Sequence, residues 1–194
     1  MNRLILASSS RYRRDLLARL GLPFETISPH MDETPDPGEL PAALAARLAL
    51  AKAKSVHRDN AIVIGSDQVA SIDGQLLGKP GNYGATLDQL IACQGREVIF
   101  HTAACISVGH GQYTKEHVDL TRVRFAPHSR VELERYVEKE PAYDCAGGFK
   151  AEGLGVVLFE AIESHDPTAL IGLPLIWLAG ALREAGLDPL GVSD

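Results

Sequence analysis

The chain has 194 residues, of which 45% are apolar and 23% charged, so intrinsic disorder is excluded as its main state. A chain of this length buries roughly two-thirds to three-quarters of its unfolded surface, so folding needs no metal or disulfide. It carries 19 basic and 25 acidic residues, a formal charge of −6, which excludes the positive surface of a non-specific nucleic-acid-binding protein and leaves no nucleic-acid polymer as an expected partner.

Short apolar segments alternate with helical patterns in the first half of the chain. Four apolar segments predict strands, at residues 4–7, 24–27, 61–65 and 69–72. Three segments with helical spacing predict helices, from residue 11 to Gly21, over residues 41–56 and from Asn82 to Cys93. The dipeptide Asp73-Gly74 predicts a tight hairpin turn between the second and third helices.

Long runs with β-strand patterning dominate the second half. Three strands are predicted, at residues 97–108, 113–125 and 154–159, the first two joined by a glycine-rich turn at residues 109–111. Ser129 and Glu132 form a capping box that begins a helix ending near Lys139, and a terminal helix is predicted over residues 174–185. Because helices and strands interleave throughout, we predict an α/β fold with a mixed sheet.

Cysteine usage and hydropathy favour a cytoplasmic protein. The three cysteines are odd in number, widely spaced and without a C-x-x-C pair, which does not suit a secreted disulfide scaffold or a zinc ribbon. The apolar segment at residues 4–7 is too short for a signal peptide. The longest apolar run, residues 170–182, is well short of a membrane span, so we expect no membrane partner.

A serine-rich loop followed by arginines is the first candidate site. Ser8-Ser9-Ser10 follow the first strand, and Arg11, Arg13 and Arg14 begin the next helix. A helix N-terminus offers free N–H groups and partial positive charge, and added cations there are unfavourable unless an anion offsets them. We interpret this pattern as a phosphate site; helix caps with solvated arginines are the alternative.

Two acidic positions follow predicted strands. Asp32 and Glu33 lie in a proline-rich loop, where carboxylates can hold Mg²⁺ together with substrate phosphates, although solvated acids would give the same pattern. Asp67 comes directly after an apolar strand, where open α/β sheets bind ligands. It could orient a water as general base or ligate a metal that activates the water, and a turn-capping role is the alternative.

The remaining candidates are basic side chains and a glycine pair. Arg47 and Lys52 lie on the second predicted helix and Lys79 follows the hairpin, and each is either a phosphate contact or a solvated surface charge. After Cys145, paired glycines permit close approach of a ligand, and Lys150 and Glu152 share one face if the segment is extended.

Taken in order, these motifs resemble the Maf family of nucleoside triphosphate pyrophosphatases. The shared segments are spread over nearly the whole chain, at residues 4–14, 32–34, 47–53, 65–68, 78–80, 146–147 and 172–175. The resemblance implies a single Maf-like domain over residues 1–194, with two α/β lobes around a central cleft, related to inosine-triphosphate pyrophosphatases. It also implies a homodimer that hydrolyses a nucleoside triphosphate between its α- and β-phosphates, with a divalent metal cation.

The resemblance implies a role for each candidate side chain. Asp67 would accept the proton of the attacking water and, with Glu33, would hold the metal, for which we expect Mg²⁺. Four further side chains would contact the phosphates, namely Ser8, Arg13, Lys52 and Lys79.

Three positions bear on the base of the nucleotide. The branch of the family that acts on UTP and dTTP has different residues at the positions of Tyr12, Gln68 and Glu152. This chain resembles instead the branch that acts on 7-methyl-GTP. A carboxylate at 152 can accept from guanine N1–H and N2–H₂, and Tyr12 can stack on the cationic methylated base with a gain of about 0.5–2 kcal/mol. The alternatives are a UTP, dTTP or other non-standard nucleotide pyrophosphatase, and a non-catalytic nucleotide-binding regulator of cell division.

Overall fold

The computed structural model describes residues 3–56, 58, 60–109 and 111–191, so the middle of the predicted turn at 109–111 lies outside the described residues. Five α-helices are present in these ranges: α1 (Arg11–Ala18), α2 (Pro41–Lys54), α3 (Tyr83–Cys93), α4 (Arg130–Lys139) and α5 (Leu175–Glu184). Within the same ranges, none of the helices combines the length and apolar character needed to cross a membrane.

A mixed sheet of seven strands runs through the molecule. Its strands are β1 (Arg3–Ala7), β2 (Glu25–Ile27), β3 (Ala61–Ile72), β4 (Gln75–Leu77), β5 (Glu97–Val108), β6 (Tyr113–Phe125) and β7 (Phe159–Glu163). The order across the sheet is β2-β1-β3-β5-β6-β7, and β4 pairs with the end of β3. β1 is parallel to both of its neighbours, and the other pairs are antiparallel. The predicted α/β class with a mixed sheet is therefore confirmed.

The strand order reverses at β1, because the next two strands of the chain, β2 and β3, lie on opposite sides of it. β1 ends at Ala7, which pairs with Gly65, whereas β3 continues to Ile72. Residues 66–68 of β3 therefore lie just beyond the carboxyl end of β1, beside the serine loop. Such switch points are where open α/β sheets bind ligands.

One predicted break is wrong: the strands expected at 61–65 and 69–72 are a single strand, β3, with Asp67 near its middle. Asp67 was expected to follow a strand that ends in a small residue. The strand continues because its second half pairs with β5, through the register Asp67↔Ala103 to Ser71↔Ile99. Gly65 is instead the last residue of β3 that pairs with β1.

The second error concerns residues 146–158. The strand predicted at 154–159 is a 3₁₀ helix over Leu154–Leu158, and β7 begins only at Phe159. Gly155 and Leu158 are buried while the two valines between them are exposed, a period of three rather than two. Lys150 and Glu152 do not share a strand face either, because turns surround them.

The core forms two large clusters that meet along the central strands. One cluster packs α1 and α5 on the first half of β3, around Leu16, Ile64 and Leu178. The other packs α3 and α4 on the opposite end of the sheet, around Phe100 and Leu133. The expected two lobes thus share one sheet, and α2 packs on the other sheet face in a smaller cluster of its own.

Candidate active site

A cleft of about 630 Å³ brings the sequence-predicted site residues together. That volume lies within the range of small-molecule sites. All nine predicted site residues line it: Ser8, Tyr12, Arg13, Glu33, Lys52, Asp67, Gln68, Lys79 and Glu152. Their convergence is a geometric finding, and their chemical roles stay predictions.

A buried lysine joins the two candidate metal carboxylates. Lys52 Nζ lies 2.5 Å from Asp67 Oδ1 and 2.6 Å from Glu33 Oε1. Lys52 and Asp67 are only 5% and 8% exposed, whereas the Glu33 side chain is half exposed. Because an unpaired buried charge is costly, each member of this triad stabilises the others in the cleft.

Gly65 allows α2 to bring Lys52 over Asp67. Gly65 and Asp67 share one face of β3, since side chains alternate along a strand. A Cβ at Gly65 would overlap the carbonyl oxygen of Ala49 and lie 2.5 Å from the backbone nitrogen of Ala53, both on α2. Only a glycine permits this close helix–sheet approach, which sets the distance between Lys52 and Asp67.

Arg47, on α2, holds the loop that carries Glu33. Its Nε and Nη2 each donate to the Glu39 carboxylate at 2.7 Å, and Nη2 also donates to Thr34 O at 3.1 Å. These hydrogen bonds are the main cause that lowers the pKa of Glu39 to about 2. Arg47 does not line the cleft, so it anchors the loop beside Glu33 rather than reaching a phosphate.

Cations set the ionisation of Glu33. Burial by itself raises the pKa of this carboxyl, but the hydrogen bond and charge of Lys52, then the charges of Lys79 and Arg13, outweigh burial and hold the pKa below its ordinary value. Lys79 is exposed at the rim and has no ion pair within the described ranges. Glu33 is therefore a carboxylate at neutral pH, as a metal ligand must be.

Hydrogen bonds fix the residues at the start of α1, including the cationic Arg13. Ser10 caps the helix by accepting from the Arg13 N–H at 3.4 Å, and Ser8 Oγ accepts from the Ser10 N–H at 3.1 Å. Arg13 Nε donates to Gly172 O at 2.9 Å. The single proton of the Ser66 hydroxyl has two acceptors in reach, Ala103 O at 2.8 Å and the same Gly172 O at 2.9 Å. Because Nε is fixed in this way, the terminal nitrogens of Arg13 are left for a ligand in the cleft.

The nitrogen and the oxygen of the Gln68 side-chain amide differ in their contacts. The two N–H groups are shared among three acceptors that lie 2.9–3.0 Å from Nε2, namely Ala169 O, Leu170 O and Thr102 Oγ1. These bonds tie β3 to the 3₁₀ helix Ala169–Ile171 and identify the nitrogen of the amide. The carbonyl oxygen of Gln68 accepts no hydrogen bond from the described residues, so it remains as an acceptor for a ligand.

Aromatic side chains and the carboxylate of Glu152 also line the cleft. Tyr12 Oη accepts from Arg11 Nη2 at 2.9 Å, and the guanidinium carbon of Arg11 lies 4.8 Å from the ring centroid. One face of the Tyr12 ring thus already carries a cation, so a cationic base would stack on the other face or displace Arg11. Glu152 is exposed and hydrogen-bonds to none of the described residues. The buried apolar rings of Phe100 and Phe149 also line the cleft.

Cys145 lines the cleft with its Sγ 3.9 Å from Tyr12 Oη, but it does not suit a nucleophile. Burial and then the neighbouring Asp144 raise the pKa of its thiol to about 11, so it stays protonated at neutral pH. Asp144, Phe100 and Phe149 were not among the residues predicted to form the site. Asp144 and Phe149 lie in or beside the glycine-containing segment that the sequence analysis singled out, whereas Phe100 lies on β5 and had no local signal.

The fold and the cleft define an α/β protein with a ligand-sized cleft at the switch point of its sheet, lined by cations, carboxylates and aromatic side chains. The sequence profile described as Maf-like protein matches residues 3–185, and the chain belongs to the Maf family. The resemblance noted from the motifs is thereby confirmed.

Named relatives cover nearly the whole chain. The 7-methyl-GTP pyrophosphatase of Bordetella avium (strain 197N) is 55% identical over 190 residues, which are 97% of this chain and 95% of the relative. The 7-methyl-GTP pyrophosphatase of Xanthomonas oryzae pv. oryzae (strain MAFF 311018) is 56% identical over 188 residues, 96% and 98% of the two chains. Among solved structures, the Ham1 protein of Staphylococcus aureus matches with a TM-score of 0.55 over 95% of this chain and 100% of its own, at 15% identity, a likeness of fold alone.

Proposed function

We propose that this chain hydrolyses 7-methyl-GTP between the α- and β-phosphates and releases 7-methyl-GMP and pyrophosphate. The observation that carries the proposal is the triad of Lys52, Asp67 and Glu33 inside the ligand-sized cleft. Its occurrence in a chain more than half identical to two proteins named 7-methyl-GTP pyrophosphatase supports both the reaction and the substrate.

In the proposed reaction, the chain positions the triphosphate and a water. Arg13 and Lys79 bind phosphate oxygens with Ser8, and Asp67 accepts a proton from the water that attacks the α-phosphorus. The new bond joins the water oxygen to that phosphorus while the bond to the bridging oxygen breaks, and pyrophosphate leaves with the electron pair. Lys52 holds the Asp67 carboxylate in place at 2.5 Å. Positioning and electrostatics supply most of the rate gain in such a site.

The donor set of the cleft suits a divalent metal, which we propose to be Mg²⁺. Glu33 and Asp67 both contact the Lys52 ammonium, so their carboxylates lie near each other and their remaining oxygens could hold a metal beside that ammonium. The described residues hold no cluster of three or more His, Cys, Asp or Glu ligands, but Mg²⁺ typically uses one or two carboxylates and takes its other ligands from phosphates and water. When bound there, the metal would neutralise charge on the transferred phosphate.

Arg47 offers a test of the metal assignment from outside the cleft. Arg47→Gln removes the paired hydrogen bonds to Glu39 and frees the loop of Glu33, so we expect the Mg²⁺ concentration for half-maximal activity to rise about tenfold. The rate at saturating Mg²⁺ should change little. Arg183→Gln, which breaks an exposed pair with Asp188, is the matched control. An unchanged Mg²⁺ titration for Arg47→Gln would contradict the role of this loop in metal binding.

Recognition of the base is proposed for three residues that line the cleft, Tyr12, Gln68 and Glu152. Glu152 would accept from the N1–H and N2–H₂ of guanine, Gln68 Oε1 would accept a further hydrogen bond, and the free face of Tyr12 would stack on the cationic ring. Glu152→Gln should lower the ratio of kcat/KM for 7-methyl-GTP to kcat/KM for UTP about 10- to 100-fold. This factor corresponds to the net free energy of a hydrogen bond to a charged group. Tyr12→Ala should lower the same ratio about 2- to 30-fold. A ratio that stays at the wild-type value in both variants would remove these residues from base selection.

The proposed activity is tested by pyrophosphate release from 7-methyl-GTP, GTP, UTP, dTTP and ITP in the presence of Mg²⁺. We expect a strong preference for 7-methyl-GTP. A preference for UTP or dTTP would keep the reaction and overturn the choice of base. No release from any of the five would leave a nucleotide-binding protein without catalysis.

We also propose that the chain acts as a homodimer in the cytoplasm, with no nucleic-acid polymer as partner. The family resemblance supports the dimer, and the formal charge of −6 opposes polymer binding. Light scattering coupled to size-exclusion chromatography should give twice the 20.9 kDa chain mass. A mass of one chain across the working concentration range would contradict the dimer.

A further inference from the structure

The turn that carries Glu152 is closed by backbone hydrogen bonds and by a half-buried carboxylate acceptor. The N–H groups of Gly153 and Gly155 both donate to Lys150 O, at 3.2 and 3.1 Å. The Gly155 N–H also donates to Glu140 Oε2 at 3.1 Å. Glu140 is the C-terminal cap of α4, so the turn is fastened to the end of that helix.

Tyr136, one turn earlier on α4, completes this connection. It is 3% exposed, and its hydroxyl donates to Glu140 Oε2 at 3.3 Å while it accepts from the Lys150 N–H at 3.4 Å. The same hydroxyl therefore binds the start of the turn and orients the carboxylate that binds its end.

The Glu140 carboxylate also packs directly against the residue that follows Glu152. A Cβ at Gly153 would overlap Glu140 Oε1 and lie 2.9 Å from Glu140 Cδ. The backbone next to Glu152 is thus in van der Waals contact with this carboxylate, which limits where Glu152 can point.

We propose that Glu140, oriented by Tyr136, is a positioning residue for base recognition, because it fixes the 150–155 turn so that Glu152 faces the cleft. Neither Glu140 nor Tyr136 lines the cleft, whereas Glu152 does. The proposal rests on the proposed function, in which Glu152 reads guanine. The triad of Lys52, Asp67 and Glu33 stands on other elements, so loss of Glu140 should affect the choice of base more than the chemical step.

A double-mutant cycle separates positioning from general support of the fold. We expect Glu140→Ala to lower the kcat/KM ratio of 7-methyl-GTP over UTP about tenfold, mainly through KM for 7-methyl-GTP, since small misplacements of a binding group are costly. In a Glu152→Gln background, Glu140→Ala should change the ratio no further. Glu140→Gln keeps an acceptor oxygen and should restore most of the selectivity. Tyr136→Phe, which removes only the hydroxyl, provides a second variant if Glu140→Ala does not fold.

The control is Glu138→Gln, which removes a charge from an exposed position of the same helix and should leave the ratio at the wild-type value. A foldable Glu140→Ala or Tyr136→Phe with wild-type selectivity overturns the proposal, as does an equal loss of ratio with and without Glu152. An equal fall in kcat for both nucleotides, at constant ratio, also overturns it. If the wild-type chain itself fails to hydrolyse 7-methyl-GTP, the proposed function is contradicted instead.

Discussion

Asp67→Asn should lower kcat for 7-methyl-GTP about 10²- to 10⁴-fold and leave the fold intact, because the amide matches the carboxylate in shape but cannot accept the proton of water. Lys52 would keep its contact with Glu33 at 2.6 Å, so the buried ammonium is not left unpaired. KM should change much less than kcat. Pyrophosphate release at saturating Mg²⁺ gives the rate, and a circular-dichroism melt reports the fold.

Asp73→Asn provides the matched control for this experiment. Asp73 stands at the hairpin turn directly after β3, with a left-handed φ of 48° that asparagine accepts readily. Its only ion pair in the described structure is an exposed one with Arg96. The control should keep wild-type turnover. Near-normal turnover of Asp67→Asn would remove Asp67 from both the base and the metal-ligand roles.

Gly65→Ala should have the second largest effect, although it adds one methyl group and no charge. The new Cβ would overlap Ala49 O and crowd Ala53 N, so α2 must move away from β3. Overpacking of this kind costs about 1–3 kcal/mol of stability. The displaced helix would carry Lys52 away from Asp67, so we expect kcat/KM to fall about a hundredfold. Urea unfolding and steady-state kinetics measure the two effects.

Gly180→Ala is the control for the glycine substitution. Gly180 lies within α5, and a Cβ there meets nothing within 4 Å. Alanine is the better helix former, so we expect unchanged activity and a stability gain of about 0.5–1 kcal/mol. Wild-type stability and turnover in Gly65→Ala would show that the helix–sheet distance does not control the triad.

Elements whose signals are local were predictable from the sequence. Ser129 and Glu132 form the reciprocal hydrogen bonds of a capping box, and the Asn82 side chain accepts from Ala85 N at the start of α3. The strands Glu97–Val108 and Tyr113–Phe125 begin and end where their patterning predicted. In each case the residues that determine the structure lie within a few positions of one another.

Features that depend on distant packing were not predictable. β3 continues through Asp67 because β5 supplies a partner, and Ala103, the residue of β5 that pairs with Asp67, lies 36 residues further along the chain. The segment Leu154–Leu158 is rich in β-branched and apolar residues, yet it winds as a 3₁₀ helix against the sheet. Strand propensity alone could not anticipate either outcome.

The candidate site divides in the same way. Motif residues such as Lys52 and Asp67 were identifiable because short motifs carried them, and the sheet topology then brings them together at the switch point. The supporting contacts of Glu140 with the Glu152 turn leave no local signature, and the contact of Ser66 with Gly172 joins two motif segments whose pairing the sequence does not show. They arise between segments that meet only in the folded chain.

Hydrolysis of 7-methyl-GTP in ¹⁸O-labelled water tests the central claim most directly, because the position of the label identifies the phosphorus that water attacks. We expect one ¹⁸O in 7-methyl-GMP and none in pyrophosphate, with the rate of labelling lowered by the Asp67→Asn substitution as much as kcat is. Label in the pyrophosphate would place the attack on the β-phosphorus and contradict the proposed geometry of the triad. Absence of hydrolysis by the wild-type chain would contradict the proposed function itself.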